Sequence, residues 1–178
     1  MSQADALARL AARLDALEAE SAVRRVMADY FRICDRLGPD TDLEALGELF
    51  TRDAVWQGKG RYQAAFGGYR GRAAIVEMIA GYCAPVPHFT MTGHFFSAEA
   101  IEVAGETATG RWMMLQCSAY HDDSADLRSA ALTVGFARED GCWRIADFRT
   151  ENIFSRRVDH WSDAETIPVP AAQQGGQQ

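Results

Sequence analysis

The sequence has few cysteines and none at the spacing of a metal or redox motif. Its four cysteines, Cys34, Cys83, Cys117 and Cys142, are far apart along the chain, and no Cys-x-x-Cys pair occurs. Three of them sit among apolar residues, where a free cysteine behaves as a small buried hydrophobic side chain. We therefore expect reduced thiols in a cytoplasmic protein rather than a disulfide framework.

Other features that the chain lacks argue against several classes of protein. Lysine and arginine total 18 against 25 aspartate and glutamate, and the basic residues form no continuous stripe, so we expect no nucleic-acid partner. No apolar run approaches the roughly 20 residues of a membrane span, and Asp5 and Arg9 lie where a signal peptide would be apolar. Serine-hydrolase and dinucleotide-binding motifs are absent, and the adjacent residues His121, Asp122 and Asp123 are poorly placed to converge on one ion. We expect neither a metal nor a cofactor.

The length of 178 residues suits a single domain, which we place at 1–167. Its first part, about 1–20, is predicted to be a helical extension. One face of that extension is apolar, with Leu7, Leu10, Leu14 and Leu17. Two heptads are too few for a free coiled coil, so this face is expected to pack against its own domain or another subunit of a homo-oligomer. Residues 168–178, rich in Pro, Gly and Gln, are expected to be disordered.

The hydrophobic pattern changes along the chain from helical to strand-like. It predicts helices first, over 21–37 with Ser21 as a candidate cap, from Thr41-Asp42 onward, and over 72–82. The glycine-rich segment 57–71 is expected to be a hairpin or a mobile lid. Four strands then follow, at 94–103, 107–120, 128–138 and 142–154. Short turns between consecutive strands require antiparallel pairing, so the fold class is α+β.

Two separated residues suggest a proton-abstraction site. Asp35 follows Met27 and Phe31 at steps of four, which directs its carboxylate to the edge of a buried helical stripe. A carboxylate there needs a partner, and His94 could donate one ring N–H to it while keeping the other nitrogen for a substrate proton. In the alternative interpretation, Asp35 pairs with Arg36 at the helix end and His94 only fills a strand position.

Several segments resemble the SnoaL-like family of the nuclear transport factor 2-like superfamily. They are 29–35 (DYFRICD), 46–56 (LGELFTRDAVW), 69–75 (YRGRAAI), 94–103 (HFFSAEAIEV) and 139–145 (EDGCWRI). The pattern is similar to that of bile-acid dehydratases and hexachlorocyclohexane dehydrochlorinase. This resemblance implies a curved antiparallel or mixed sheet wrapped around helices to form a cone with an apolar pocket. It also implies cofactor-free chemistry on a hydrophobic small molecule, and dimers or trimers.

The resemblance also implies roles for individual residues. Asp35 and His94 match the family's catalytic dyad, Trp56 matches an aromatic pocket wall, and Arg149 looks like an arginine that some dehydratases direct into the pocket. The chain departs from the pattern at Val134, where many relatives carry an aspartate.

Other candidates come from the residues themselves. Tyr30 could steady a substrate oxygen or pack in the core. Arg149 shares strand parity with Trp143 and Ile145, although surface solvation is the alternative. His88 is a back-up acid or base, or a loop residue at the pocket rim. The remaining pocket candidates, which could equally be plain core, are Trp112, Met114 and Phe136.

The sequence thus predicts a dehydratase-type lyase in which His94 removes a C–H proton, Asp35 orients and balances the imidazole, and Tyr30 and Arg149 assist. Two alternatives remain open at this stage. One is an isomerase or cyclase that uses the same base, and the other is a non-catalytic binding or assembly module.

Overall fold

The computed structural model describes residues 2–161, with the side chain of Tyr62 excepted. The tail expected at 168–178 lies outside the described residues. Four helices, one 3-10 turn and six strands follow in the order α1 Gln3–Cys34, α2 Leu43–Glu48, β1 Phe50–Lys59, the 3-10 turn Gly60–Tyr62, α3 Gln63–Phe66, β2 Gly68–Arg70, α4 Arg72–Ala80, β3 Met91–Ala104, β4 Thr107–Ala119, β5 Ala125–Glu139 and β6 Cys142–Val158.

The N-terminal segment is one long helix, so the expected division at Ser21 is wrong. Ser2 caps the helix through a reciprocal pair of hydrogen bonds with Asp5, and Ser21 lies in the helix interior, where its hydroxyl accepts from Arg25. Neither glycine nor proline occurs within α1, so nothing in its sequence breaks the helical hydrogen bonds. Within the described residues the leucine face of the extension does not pack on its own domain, since its four leucines are 56–61% exposed.

The strands form one curved, unclosed sheet in the order β2-β1-β6-β5-β4-β3. Only β1 and β6 run parallel, and the other neighbouring pairs are antiparallel. The glycine-rich segment forms the connection and second strand of a β1–β2 hairpin, and so agrees with one of its two expected forms. The α+β class and the curved mixed sheet around the N-terminal helix are confirmed.

The core lies between the sheet and the second half of α1. On this half of the helix Val23, Met27, Tyr30 and Phe31 are buried, at spacings of four, three and one that keep them on one face. They pack against the buried apolar side chains of the sheet. Among residues 2–161, no helix combines the length and the apolar character needed to cross a bilayer.

A β-bulge in β6 overturns the expected parity of Arg149. Two consecutive residues of β5 pair with the residues on either side of Ala146, which leaves Ala146 as an extra residue in the ladder. Trp143 and Ile145 are buried before this bulge, but Phe148 takes the inward position after it. The guanidinium of Arg149 therefore lies on the outer face, where it pairs with Asp147.

Candidate active site

Asp35 and His94 are hydrogen-bonded at the C-terminal end of α1. Asp35 is the C-cap residue of the helix, and its Oδ1 lies 2.5 Å from Nδ1 of His94 on β3. The His94 side chain is 10% exposed and that of Asp35 is 31% exposed. A carboxylate accepts hydrogen bonds, so Nδ1–H is the donor and Nε2 is the nitrogen left for another partner. This is the pairing that a general-base dyad requires.

Local packing holds the histidine ring in place. Phe31, one helical turn before Asp35, packs against the His94 ring with the centroids 4.8 Å apart, and it also contacts Phe96 on the same strand. His94 is the fourth residue of β3 rather than the first, because the strand begins at Met91. One face of α1 thus supplies both the carboxylate and the aromatic support for the imidazole.

His94 lines a cavity of about 460 Å³, which we call the inner cavity, and Asp35 lies behind the histidine rather than in the lining. Its wall combines aromatic and aliphatic side chains, contributed by α1, α4, the β1–β2 hairpin and the sheet. The lining includes Tyr30, Cys34, Leu37, Trp56, Phe66, Tyr69, Met78, Ile79, Tyr82, Phe89, His94, Gln116 and Arg128. A cavity of this size and composition is typical of a small-molecule site.

Tyr30 and Trp56 meet in the wall of the inner cavity, as the sequence-based hypothesis for both residues requires. The indole Nε1–H of Trp56 donates to the hydroxyl of Tyr30 at 3.2 Å, and Trp56 stacks on Phe148. Burial raises the pKa of Tyr30 well above its ordinary value. Burial also raises the pKa of the neighbouring Cys34 thiol to about 12. Both groups are therefore neutral at physiological pH, and Tyr30 keeps an O–H that can donate.

Three residues predicted to line the pocket lie elsewhere. Trp112, Met114 and Phe136 are buried, and none of them lines the inner cavity. The indole of Trp112 packs near Phe136 and donates to Glu99. The alternation along β4 and β5 predicted their inward direction correctly, but this part of the sheet is covered by α1. Of the two interpretations, plain core is correct for these three.

Two further candidates are also outside the inner cavity. His88 lies between α4 and β3, where its ring packs edge-on against Tyr82, Phe89 and Tyr120. It lines a neighbouring recess, which agrees with a rim position. Arg149 is turned away by the bulge described above, and its side chain is 52% exposed.

Three charged or amide side chains of the inner cavity were missed from the sequence, namely Gln116, Arg128 and the exposed Glu77 of α4. Gln116 is the cross-strand partner of His94 and donates to Ser118 at 3.0 Å. Arg128 on β5 donates to Asp126 at 3.0 Å through its Nε. The inward parity of Trp112 and Met114 extends to Gln116, and that of Leu132, Val134 and Phe136 extends to Arg128, so alternation could have identified both residues.

No metal centre accompanies these residues. Among residues 2–161, no group of three His, Cys, Asp or Glu side chains is arranged to hold a metal ion. The site is thus defined by an acid–base pair, a neutral phenol and an apolar wall.

Known proteins share this α+β architecture of a helix packed on a curved sheet. The chain belongs to the SnoaL-like domain family, whose sequence model matches residues 15–149. The family resemblance inferred from the motifs is thereby confirmed. No curated protein matches the chain.

Solved structures share the fold. A type-2 hexachlorocyclohexane dehydrochlorinase is 18% identical with a TM-score of 0.71, over 86% of this chain and 99% of the other. A protein of Novosphingobium aromaticivorans provisionally assigned as a scytalone dehydratase is 20% identical, with a TM-score of 0.66 over 88% and 97% of the two chains. A nuclear transport factor 2-like protein of the same species is 26% identical, with a TM-score of 0.62 over 83% and 90%.

Proposed function

We propose that this protein is a cytoplasmic, cofactor-independent lyase that eliminates water or a halide from a hydrophobic small molecule. The observation that carries the proposal is the hydrogen bond between Asp35 and His94 at the wall of a largely apolar cavity. Two of the similar structures are named for elimination reactions, a dehydrochlorinase and a dehydratase, which supports the reaction class.

The base in this mechanism is Nε2 of His94. It takes the proton from an acidic carbon of the substrate, and the C–H electron pair forms the new C=C bond as the leaving group departs from the adjacent carbon with its own electrons. The imidazolium that forms is stabilised by the Asp35 carboxylate, whose hydrogen bond at Nδ1 also fixes the ring orientation. A halide leaves as the anion. A hydroxyl leaves as water after it accepts the proton from Nε2 of the imidazolium, which returns His94 to its neutral form.

Tyr30 is the proposed donor to the substrate oxygen. Its raised pKa keeps the phenol protonated, and the Trp56 N–H directed at the same oxygen orients it. Low local polarity in the cavity strengthens each such contact relative to water. Arg149 has no part in this scheme, because it lies on the opposite face of the sheet.

The same groups suit an isomerase or cyclase with a ketone substrate. A neutral phenol facing the cavity could donate to an enolate oxygen, and His94 could return the proton at another carbon. Product mass separates the two chemistries, since elimination loses water or hydrogen halide and isomerisation conserves mass.

The test is a substrate screen with matched variants. Hydrophobic compounds that carry a hydroxyl or halogen beside an acidic C–H are incubated with the protein, and products are measured by mass spectrometry. We expect loss of water or hydrogen halide with the wild type and with Asp53→Asn, which changes an exposed aspartate of β1. We expect little or no product with His94→Asn.

Turnover that survives in His94→Asn would contradict the proposal. If no compound reacts and both Asp35→Asn and His94→Asn bind cavity ligands as tightly as the wild type, a non-catalytic binding or assembly module becomes the better account.

We also propose that the protein is a homo-oligomer. The outer face of the sheet exposes large apolar side chains, among them Phe95 at 61% and Ile153 at 50%, in addition to the leucine face of α1. Apolar surface of this extent commonly marks an interface. Light scattering coupled to size-exclusion chromatography should give the mass of a dimer or trimer, and a monomer mass at micromolar concentration would refute the proposal.

A further inference from the structure

A second concavity, which we call the outer recess, opens directly beside the inner cavity. It has a volume of about 810 Å³ and is lined by residues that include His88, Tyr120, Arg128, Arg156 and Arg157. Four residues line both concavities, namely Ala65, Phe66, Tyr82 and Arg128. The two spaces are therefore neighbours that share one wall, and a single elongated ligand could occupy both.

Arg128 stands at the junction in a fixed orientation. Its Nε donates to Asp126 at 3.0 Å, and its Nη2 donates to the hydroxyl of Tyr120 at 2.5 Å. Tyr120 in turn donates to Asp126 at 2.8 Å. These bonds hold the guanidinium plane between the apolar cavity and the recess, and a guanidinium held in this way is suited to planar oxyanions such as carboxylates.

Strand register brings more positive charge to the same place. Arg157 is the cross-strand partner of Asp126, and cross-strand partners share a face of the sheet with residues two positions away, such as Arg128. Arg156, next to Arg157 on β6, also lines the recess. Within residues 2–161 neither arginine forms a close ion pair, although hydrogen bonds from Ser124 and, to a lesser extent, the charge of Arg157 lower the pKa of Asp122.

The charge of the recess is opposite to that of the chain as a whole. Its three arginines face two carboxylates, of Asp122 and Asp126, and Arg128 already compensates Asp126. The whole chain carries a net charge of −7. A local positive region on an acidic protein attracts anions while the rest of the surface repels them.

We propose that the substrate is an amphiphilic anion. Its apolar, reacting part occupies the inner cavity beside His94, and its anionic oxygens bind in the outer recess at Arg128, Arg156 and Arg157. The inference rests on the proposed function for the identity of the reacting end, but the charge preference is a property of the recess alone. It narrows the substrate class from hydrophobic molecules in general to those with a carboxylate, sulfonate or phosphate at one end.

Two fluorescent probes with the same ring system provide the test. Anilinonaphthalene sulfonate carries one anionic group, and N-phenylnaphthylamine is the same molecule without it. Dissociation constants are measured for both with the wild type, with the double variant Arg156→Gln/Arg157→Gln, and with Arg149→Gln as the control. Arg149 is on the same strand but lines neither concavity.

We expect the sulfonate probe to bind more tightly than the neutral one and the two to compete. The double variant should bind the sulfonate probe about tenfold more weakly than the wild type does, which is the effect of losing two partly exposed ion pairs. Its affinity for the neutral probe should fall by less than about twofold. Arg149→Gln should change neither dissociation constant. Added salt should weaken the binding of the sulfonate probe only.

Equal affinities for the two probes, an equal loss for both in the double variant, or no saturable binding of either would overturn the inference. The outcome does not depend on turnover. Charge-selective binding in a protein that eliminates nothing would refute the lyase proposal alone, and elimination without charge selectivity would refute this inference alone.

Discussion

The substitution Asp35→Asn tests the dyad most directly, because the amide can still accept from Nδ1–H of His94 but carries no charge. The 2.5 Å contact puts the two charges of the imidazolium–carboxylate pair close together. At a separation of about 4 Å and an effective dielectric constant of about 20, their attraction is about 4 kcal/mol. The Asp35 side chain is 31% exposed, and water around its exposed part weakens the attraction, so the lower limit of the range is about 2 kcal/mol.

An attraction of about 2 to 4 kcal/mol that exists only after proton transfer corresponds to a loss of about 30- to 1000-fold in kcat. The affinity for a neutral ligand should change little, because such a ligand gains nothing from the charge of Asp35 before proton transfer. The assay is kcat with the substrate found in the screen, together with the dissociation constant of the neutral probe and a thermal melt that confirms folding. Asp53→Asn is the matched control. A kcat for Asp35→Asn within about threefold of the wild type would refute the argument that the charge of Asp35 matters.

Three further predictions concern chemistry and stability. Burial raises the pKa of the Cys34 thiol to about 12, so at pH 8 iodoacetamide should alkylate exposed Cys142 well before Cys34, as measured by peptide mass spectrometry. Hydrogen bonding to Arg24 lowers the pKa of Glu99, so the stabilisation that its charged form provides is present above its ordinary value of 4.5 and is lost as pH falls through the lowered value. Glu99→Gln should therefore cost about 0.5 kcal/mol of unfolding free energy at pH 7, and this cost, measured by urea denaturation, should shrink as the pH falls below 4.5. A Cβ at Gly110 would lie 2.1 Å from an indole carbon, so Gly110→Ala should cost about 2 kcal/mol, while Gly135→Ala, with its nearest contact at 3.5 Å, should cost clearly less. Equal melting temperatures for the two glycine variants would contradict this last prediction.

The strands and turns were predictable because local chemistry determines them. The Ala104-Gly105 and Asp140-Gly141 turns place residues with positive φ between strands, and alternation along β4 and β5 gives the correct inward rows. The continuity of α1 was not predicted, because Ser21 favours a helix start as readily as it fits a helix interior. The local sequence does not decide between these two positions for Ser21, and packing of α1 against the sheet does.

The site was predictable only in part, for reasons of geometry. Asp35 on the helix and His94 on the strand are separated by 59 residues along the chain. The need of a half-buried carboxylate for a partner suggested that they meet, and the family pattern was the stronger indication. Arg149 was assigned to the inner face because periodicity assumes an unbroken two-residue repeat. Alternation along β5 also directs Arg128 inward, but its contacts in the cavity depend on how β5 pairs with its neighbours, which is a long-range property.

The bulge at Ala146 has a consequence for how members of this family could diverge. A second irregularity in the β5–β6 ladder follows near Ile153, so the segment from Asp147 to Asn152 is bounded on both sides by extra residues. Loss of Ala146 would make the ladder regular and leave Phe148 inward and Arg149 outward, because Ile145 and Asp147 already pair with consecutive residues of β5. If Ala146 were instead kept and paired without a bulge, Phe148 would turn outward and Arg149 toward the interior without a change in either side chain. In such a strand, evolution can alter which side chains face a site through the presence or absence of a bulge, and equivalent residues in two relatives are those that face the same way, not those with the same ordinal position.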